Sequence, residues 1–509
     1  MKPRFICSSL PAGLMIGFIV FLLRPVSNQK TRNQIYFKDN EGDIVLKGPD
    51  NPGNDTLVWE WEPHSRRGKQ TVVTLRIQGG DTWSKQWGNG RENTIMNQEV
   101  VVDLRTVNLT IKKPTFKWSG LFTLTETHPR KLILKQYEIY GIKVEASPYR
   151  PLLGSDVTLS CTISRLSDTV SLHWRPMDSS QQNRSNTDQI RLNNTVYLMI
   201  RHVTVEDGKL YVCEVKENGN IVHTSNGNFT VNNTLYKTKY TVYRSSTDHS
   251  ELHLVCYNSR GDSSTAMTWT SRRLQQQQQQ VLASTTHSQS INVKGADFGN
   301  RLVTSVKPFD GKDFSLRIVP VFFQDARCYK CYLGKDTSVN EVGVSPFLTI
   351  DLITVKVTAE PSDAVTEGDN VTLTCSVSHV TESMRLVWIN GDDKSVGEKT
   401  LTVEEKSQNL VIQKVERGRG NWRCGLFHQH LPRLLVPYYQ EPSGKRLRVC
   451  SSYLELWSHF DVTYYCPICQ HSLLLYSMCG RLCCGAVPGI MDSGITPSPS
   501  ANIEASLSM

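Results

Sequence analysis

Hydrophobic and polar residues alternate along most of the chain in short runs, without a helical period over any long stretch. Runs such as DVTLSC, VYLMI and DFSLRI are separated by Gly, Asn, Asp and Ser, the residues that favour turns. A period of two places every second side chain on the same face of a strand. The pattern therefore predicts an all-β chain of antiparallel sandwiches.

One short pattern recurs and divides the chain into repeats. GSDVTLSC at 154–161 returns as GDNVTLTC at 368–375. In three repeats a Trp follows a Cys by 13 residues, in the pairs Cys161–Trp174, Cys256–Trp269 and Cys375–Trp388. A second Cys follows each pair, with an aromatic residue two positions before it: Tyr211 before Cys213, Tyr329 before Cys331 and Trp422 before Cys424.

This constellation resembles the immunoglobulin superfamily. The resemblance implies that the two cysteines of a repeat bridge facing sheets, that the Trp packs on the bridge, and that the Tyr forms a corner. It thus implies the disulfides Cys161–Cys213, Cys256–Cys331 and Cys375–Cys424, with Trp174, Trp269 and Trp388 in the cores. These residues would hold the fold together and perform no chemistry.

A fourth copy without cysteines precedes the other three. EGDIVLKG at 41–48 places Gly48 at the first Cys position, and Trp61 lies 13 residues further on. Phe122 and Leu124 stand where the family has Tyr and the second Cys. The first domain is therefore expected to be an immunoglobulin-like domain without its disulfide, with Trp61 as its core Trp.

The spacing between the two cysteine positions is 76 residues in the first domain, 52 in the second, 75 in the third and 49 in the fourth. The longer spacing leaves room for two extra edge strands, which makes a variable-type domain, and the shorter one is constant-type. In the third domain Arg301 and Asp325 match the family's salt-bridging pair. The first domain has Trp118 at the Asp position and should lack that bridge.

The predicted architecture is four tandem immunoglobulin-like β-sandwiches of variable, constant, variable and constant type. An N-terminal signal segment precedes them, and an irregular, poorly ordered tail follows. The predicted boundaries are 1–27 for the signal segment, 28–141, 142–231, 232–350 and 351–440 for the four domains, and 441–509 for the cysteine-containing tail.

The alternation of long and short domains resembles the helper T-cell co-receptor for MHC class II and its relative encoded by the lymphocyte activation gene. YEIYGIKVEASP and LTIDLITVKVTAEP join the domains of each pair without a Gly, Pro or Ser linker, whereas GNFTVNNTLYKTK between the pairs predicts a looser joint. That co-receptor lacks the cysteine pair in its third domain, whereas this chain lacks it in its first. The resemblance implies an MHC class II-like protein ligand and a plasma-membrane location.

The N-terminus indicates the secretory pathway. Lys2 and Arg4 precede an 11-residue apolar core, GLMIGFIVFLL, as in a signal peptide; an uncleaved signal anchor is the alternative. Seven N-x-Ser/Thr sequons are candidate glycosylation sites: Asn54, Asn108, Asn183, Asn193, Asn228, Asn232 and Asn370. Residues 441–509 contain no apolar run long enough to span a bilayer, so membrane attachment and secretion both stay open. Cysteines 466, 469, 479 and 483 match no standard zinc spacing.

A cluster of aromatic and basic residues marks a candidate binding edge in the first domain. GGDTWSKQWGNGR at 79–91 falls where the extra edge strands should lie, and it contains Trp83, Lys85, Trp87 and Arg91. Trp and Arg are enriched at interface hot spots. The alternative is that the tryptophans fold back over a core that has no disulfide. The net charge of +9 is mild for 509 residues, and no nucleic-acid partner is expected.

QDARCYKCYL at 324–333 contains a Cys-x-x-Cys pair that could be a redox or metal motif. Residues three apart in a strand point to opposite faces, so Cys328 cannot join Cys331. It is left as an unpaired thiol, or as a candidate for a bridge to the tail or to a second chain. No phosphate loop, His-Glu-x-x-His or Gly-x-Ser-x-Gly motif occurs, and no cofactor is expected. The sequence therefore favours a non-enzymatic immune-type receptor ectodomain, with a secreted decoy or an adhesion molecule as alternatives.

Overall fold

The computed structural model describes residues 33–439 with internal gaps at 51–55, 78–82, 89–97, 128–130, 178–185, 210, 234–236, 262–264, 274–277, 287–288, 305–307, 335–344, 362–364 and 417–420. The signal segment, residue 440, the tail at 441–509, Asn54, Arg91 and Asn183 lie outside the described residues.

The regular secondary structure of the described part of the chain is almost entirely β-strand, which confirms the predicted fold class. The first pair of domains is formed by β1 (Asn33–Lys38), β2 (Asp43–Leu46), β3 (Leu57–Pro63), β4 (Gln70–Ile77), β5 (Trp83–Trp87), β6 (Val100–Val102), β7 (Leu109–Lys112), β8 (Gly120–Glu126), β9 (Leu132–Ser147), β10 (Val157–Ile163), β11 (Val170–Pro176), β12 (Thr187–Leu192), β13 (Thr195–Ile200), β14 (Tyr211–Glu217) and β15 (Asn220–Asn226).

The second pair of domains contains another fifteen strands in the described residues. They are β16 (Thr238–Ser245), β17 (Leu252–Leu254), β18 (Ala266–Arg272), β19 (Gln280–Thr286), β20 (Asn292–Val293), β21 (Leu302–Thr304), β22 (Leu316–Ile318), β23 (Cys328–Leu333), β24 (Leu348–Glu360), β25 (Val371–Val377), β26 (Met384–Asn390), β27 (Ser395–Thr400), β28 (Ser407–Ile412), β29 (Asn421–His428) and β30 (Leu431–Tyr439). Short 3-10 turns include Phe116–Trp118, Val205–Lys209, Ala296–Arg301 and Phe323–Asp325.

Each pair of domains shares one long strand. The 16-residue β9 is the last strand of the first domain, and it continues as the first strand of the second, where it pairs with β10. One sheet therefore runs through both domains in the order β12-β13-β10-β9-β8-β3-β4-β5. The 13-residue β24 does the same for the second pair, in the order β20-β19-β18-β23-β24-β25-β28. The alternation across both junctions predicted this continuity.

The two long-spacing domains have additional edge strands. Beyond the central strands, β4 and β5 extend the first domain and β19 and β20 extend the third, and each domain closes against a three-stranded sheet, β2-β7-β6 or β17-β22-β21. In the described residues, the second domain has no such additional edge strand, and the fourth domain has one, β27. That strand pairs with β26 instead of β28, so the fourth domain differs from the second, where β12 pairs with β13.

Each sandwich buries its own hydrophobic core, because every second residue of its strands faces the opposite sheet. The burial pattern of β3, which alternates strictly between buried and half-buried residues, is an example. The four cores are separate clusters, one for each domain. This arrangement gives four sandwiches, each with its own core, on two shared strands.

A fifth cluster joins the second domain to the fourth. Ile190 and Met199 on the outer face of the second domain pack against Val387, Ile389, Phe427 and Leu435 of the fourth. Leu152 and Leu153 also pack against the core of the third domain. The expectation of a loose joint between the pairs is therefore wrong. The linker itself is polar, but the domain surfaces on either side of it carry apolar residues that pack against each other.

Candidate binding surface

The predicted core residues come together as one unit in each of the last three domains. Disulfides join Cys161 to Cys213, Cys256 to Cys331 and Cys375 to Cys424. Trp174, Trp269 and Trp388 lie directly opposite the second Cys in the neighbouring strand. Each indole N–H donates to a backbone carbonyl, with distances of 3.1 Å to Val196, 2.7 Å to Phe314 and 3.3 Å to Gln408. These residues are structural.

In the first domain the equivalent Trp is Trp59, two residues before the expected position. Trp59 lies opposite Leu124, is fully buried, and donates its indole N–H to the carbonyl of Val107 at 3.2 Å. Trp61 is also buried, but it lies opposite Phe122 and packs on Trp118 with ring centroids 5.1 Å apart. Trp61 is therefore a core Trp, as predicted, but the Trp opposite the second-Cys position is Trp59, two residues earlier. Both side chains face the core because strand residues two apart share a face.

The same offset applies to the first cysteine position. Gly48 lies beyond the end of β2, and its N–H donates to the Asn108 side chain at 2.8 Å. The fully buried residue 13 positions before Trp59 is Leu46, the last residue of β2. Leu46 and Leu124 are therefore the two apolar residues that replace the missing bridge.

The ion pair at the base of the third domain has a counterpart in the first domain, in which the donor and acceptor positions are exchanged. Arg301 donates two hydrogen bonds to Asp325, at 2.6 and 3.1 Å. In the first domain Trp118 occupies the acceptor position and donates its indole N–H to Glu99 at 2.5 Å. Glu99 directly precedes β6, as Arg301 directly precedes β21. The domain lacks the Arg–Asp bridge, as expected, but the sequence did not reveal that Glu99 takes its place.

The candidate binding edge is strand β5, which pairs only with β4 among the described strands. Trp87 lies opposite Val73, Lys85 opposite Leu75 and Trp83 opposite Ile77. Val73 and Leu75 are fully buried, so these three β5 side chains lie on the core side of the sheet. Trp83 and Trp87 are half-buried and pack against the hydrophobic core of the domain.

Lys85 is the exposed member of this row. Its ammonium lies 5.5 Å from the ring centroid of Trp87, within cation–π range. Gln86 next to it is also exposed. The tryptophans therefore fill the edge of the core, as the alternative interpretation expected. What the edge offers to a partner is the half-exposed rim of the two indoles, with Lys85 between them.

A cleft of about 660 Å³ lies beside the junction of the first and second domains. At its base His64 bridges the two domains, with Nε2 2.7 Å from Glu138 and Nδ1 2.9 Å from Ser164. The side chains of His64 and Glu138 are 4% and 5% exposed, so this contact is internal. Arg66, Arg67 and Arg165 line the mouth of the cleft. The arrangement fixes the angle between the domains and leaves a basic rim.

The other predicted positions fall in varied surroundings. Asn193, Asn228, Asn232 and Asn370 are exposed, whereas Asn108 is half-buried. Cys328 is a free, buried cysteine, 6% exposed. Across residues 33–439, outside the gaps, no cluster of three or more His, Cys, Asp or Glu side chains could hold a metal ion. The described helical turns are all too short to cross a membrane.

The family model of the immunoglobulin domain matches two segments, residues 148–225 and 361–436. These segments lie in the second and fourth domains, so the chain contains immunoglobulin domains. No curated protein matches the chain.

Solved structures with immunoglobulin domains are similar to the chain at low identity. The I-band fragment I67–I69 from titin is 16% identical, with 63% of this chain and 95% of that chain covered and a TM-score of 0.17. The extracellular portion of mouse CD200RLa is 10% identical, with 40% of this chain and 100% of that chain covered and a TM-score of 0.24. The N-terminal eight domains of Down Syndrome Cell Adhesion Molecule are 15% identical, with 81% of this chain and 49% of that chain covered and a TM-score of 0.19. Values this low say nothing about what this chain binds.

Proposed function

We propose, from the immunoglobulin domains that the chain contains, that this protein is the non-enzymatic ectodomain of an immune-type receptor or co-receptor. It binds a protein ligand on another cell through the first domain. The observation that supports this most directly is edge strand β5, where exposed Lys85 lies between the half-exposed Trp83 and Trp87.

The frame behind this edge is rigid. β5 is joined to β4 by a ladder from Ile77–Trp83 to Val73–Trp87, and β4 continues into a sheet that extends to the second domain. The Gly88 N–H donates to the Val72 carbonyl at 3.2 Å and continues this attachment. A ligand would therefore meet a surface that is already ordered, which lowers the entropic cost of binding.

The chemistry of the edge favours a protein partner with acidic groups. Indole rims supply apolar contact area, and the Lys85 ammonium supplies one positive charge close to the Trp87 ring. The resemblance described above suggests an MHC class II-like ligand at the surface of another cell. Passage through the secretory pathway, glycosylation and a plasma-membrane location belong to the same proposal.

The test is a binding screen of the protein against cell-surface proteins, MHC class II included, followed by Lys85→Glu. Charge reversal at an exposed position should weaken binding by about tenfold or more and leave the fold intact. Lys394→Glu is the matched control, because Lys394 is an exposed lysine in the turn directly before β27 of the fourth domain. Unchanged affinity of Lys85→Glu would exclude β5 as the binding edge.

Trp83→Ala and Trp87→Ala separate packing from recognition. Because each indole is half-buried against the core, we expect each substitution to lower the free energy of unfolding by about 2 kcal/mol, less than for a fully buried Trp. Denaturant unfolding measures this value. If both variants kept parental stability but lost the ligand, the tryptophans would serve binding alone.

A secreted decoy or an adhesion molecule of the same fold is the second candidate. The two possibilities differ in where the protein is found. Detection on the surface of expressing cells supports the receptor, whereas recovery of all the protein in the culture medium supports the decoy.

A further inference from the structure

The second and third domains meet through two stacked histidines. The rings of His202, just after β13, and His253, in β17, have centroids 3.7 Å apart and an interplanar angle of 34°. Both line a cavity of about 480 Å³ between the domains, together with Leu153, Val255, Asp313 and Arg317. The two imidazoles are therefore held in contact by residues from both domains.

A buried ion pair lies beside the stack. Arg244, at the end of β16, donates to Asp156 of the second domain at 2.7 and 3.1 Å. The side chains are 4% and 12% exposed. Asp156 also accepts the backbone N–H of His202 at 3.1 Å. The carboxylate is thus already engaged by a guanidinium and by the backbone of His202.

The charged groups around the two rings do not favour two further positive charges. The groups that face the stack are Asp156, Arg244, Glu251, Asp313 and Arg317. Glu251 lies 2.8 Å from His253 Nε2 but is shared with Arg317 at 3.1 Å. Asp313 accepts hydrogen bonds from the backbone N–H and the hydroxyl of Ser315. His202 Nδ1 is buried and has no hydrogen-bond partner in the described part of the chain.

Both imidazoles are held neutral in this arrangement. Burial, followed by the charges of His253 and Arg244, lowers the pKa of His202 from 6.5 to about 4, and Asp156 and a hydrogen bond with the backbone of Gly154 act in the opposite direction. Burial also lowers the pKa of His253; Glu251 raises it, and Arg244 and Arg317 lower it. Protonation of both rings would place two positive charges in contact, next to a buried guanidinium.

We propose that the joint between the second and third domains is an acid-sensitive hinge, closed at neutral pH by the neutral His202–His253 stack and opened when these two rings are protonated. Opening exposes each protonated ring to water and removes the electrostatic repulsion between the two rings. It uses no chemistry other than proton uptake, and it would act in an acidified compartment.

The direction and size of the effect follow from proton linkage. Above pH 6.5 both states carry neutral His202, and the closed state has its full stability. Between pH 6.5 and about 4, only the open state takes up the proton, so closure weakens as the pH falls, and below about pH 4 the loss is complete. At pH 5, His202 alone should shift the equilibrium between closed and open by about thirtyfold toward the open state.

Small-angle X-ray scattering of the full chain at pH 7.4 and pH 5.0 tests the hinge. We expect the radius of gyration to increase at pH 5.0 and to return at pH 7.4. His202→Gln/His253→Gln, which cannot be protonated, should keep the neutral-pH value at both pH values. His223→Gln is the matched control, since His223 lies in β15 of the second domain, away from the joint, and this variant should expand like the parent.

A permanent charge supplies the reciprocal test. His202→Lys should be expanded already at pH 7.4, with near-ultraviolet circular dichroism and disulfide mapping to verify that each domain is folded. An unchanged radius of gyration of the parent between pH 7.4 and 5.0 would overturn the proposal. Equal expansion of the parent and the double Gln variant would overturn it as well, because the titrating groups would then lie elsewhere.

Discussion

At the scale of single residues, Cys328 is the side chain whose chemistry depends most on its surroundings. It starts β23 and lies opposite Asp351 of β24. Burial, together with the adjacent Asp351 carboxylate, raises the pKa of its thiol to about 11, while Lys330 and Arg272 act in the opposite direction. Since the thiolate is the nucleophile, Cys328 should be inert at neutral pH.

We therefore expect Cys328 to escape alkylation in the folded protein. Iodoacetamide at pH 8 should label it only after denaturation, and mass mapping of the labelled peptides measures the labelled fraction. The bridged Cys331, three residues further along the chain, is an internal control, because it should react only after reduction. Prompt labelling of the native protein, or a Cys328–Cys331 bridge, would contradict this assignment.

Residue spacing was enough to locate the core of each domain but not every partner in it. Disulfide and Trp positions have a fixed separation, so Cys256, Cys331 and Trp269 could be identified without a structure. The role of Glu99 could not, because a Trp–Glu hydrogen bond in place of an Arg–Asp pair is not part of the family pattern. The two-residue offset of Trp59 was missed for a related reason: both tryptophans of WEW satisfy the same period of two.

At the scale of the strand, β9 is constrained at the point where it passes from one domain to the next. The Gly141 N–H donates to the hydroxyls of Ser119 and Ser164, at 3.1 Å each. A Cβ on Gly141 would lie 2.4 Å from Ser119 Oγ and 3.1 Å from atoms of Phe116 and Phe37. Glycine is needed here because the first domain approaches the strand so closely.

Gly141→Ala should lower the free energy of unfolding by about 1–3 kcal/mol, since the added methyl overpacks the junction. Denaturant unfolding of the full chain measures the loss. Gly391→Ala is the matched control, because its Cβ would meet nothing closer than 3.6 Å, and it should change stability by less than about 0.5 kcal/mol. If the two variants were equally stable, the contact at Gly141 would not limit the junction.

At the scale of the whole described unit, the second domain packs against both domains of the second pair. Besides the apolar cluster with the fourth domain, the Thr158 hydroxyl donates to the Pro432 carbonyl at 2.9 Å, and Arg433 donates to the Ser147 carbonyl at 3.2 Å. Sequence reasoning could not find this packing. The residues involved are far apart in the chain, and outward-facing positions follow the same alternation whether they meet water or another domain.

Asp156→Ala should destabilise this packing more than any surface change. It leaves the Arg244 guanidinium buried without its carboxylate, which typically costs about 3–5 kcal/mol. Differential scanning calorimetry should show a lower Tm for the transition that includes the second and third domains. Asp156→Leu/Arg244→Met removes both charges and should recover most of the loss, whereas a double variant as unstable as Asp156→Ala would show that the ion pair itself is required.

The shared strands also determine how the protein responds to tension. If the protein acts as the proposed receptor, a ligand held on another cell would pull on its domains, and a flexible linker between them would extend first. Here β9 and β24 carry the load directly from one sandwich into the next, and each is hydrogen-bonded on both sides of the boundary. Each pair of domains should therefore resist extension as a single stiff element until the hydrogen bonds of a whole sandwich are sheared.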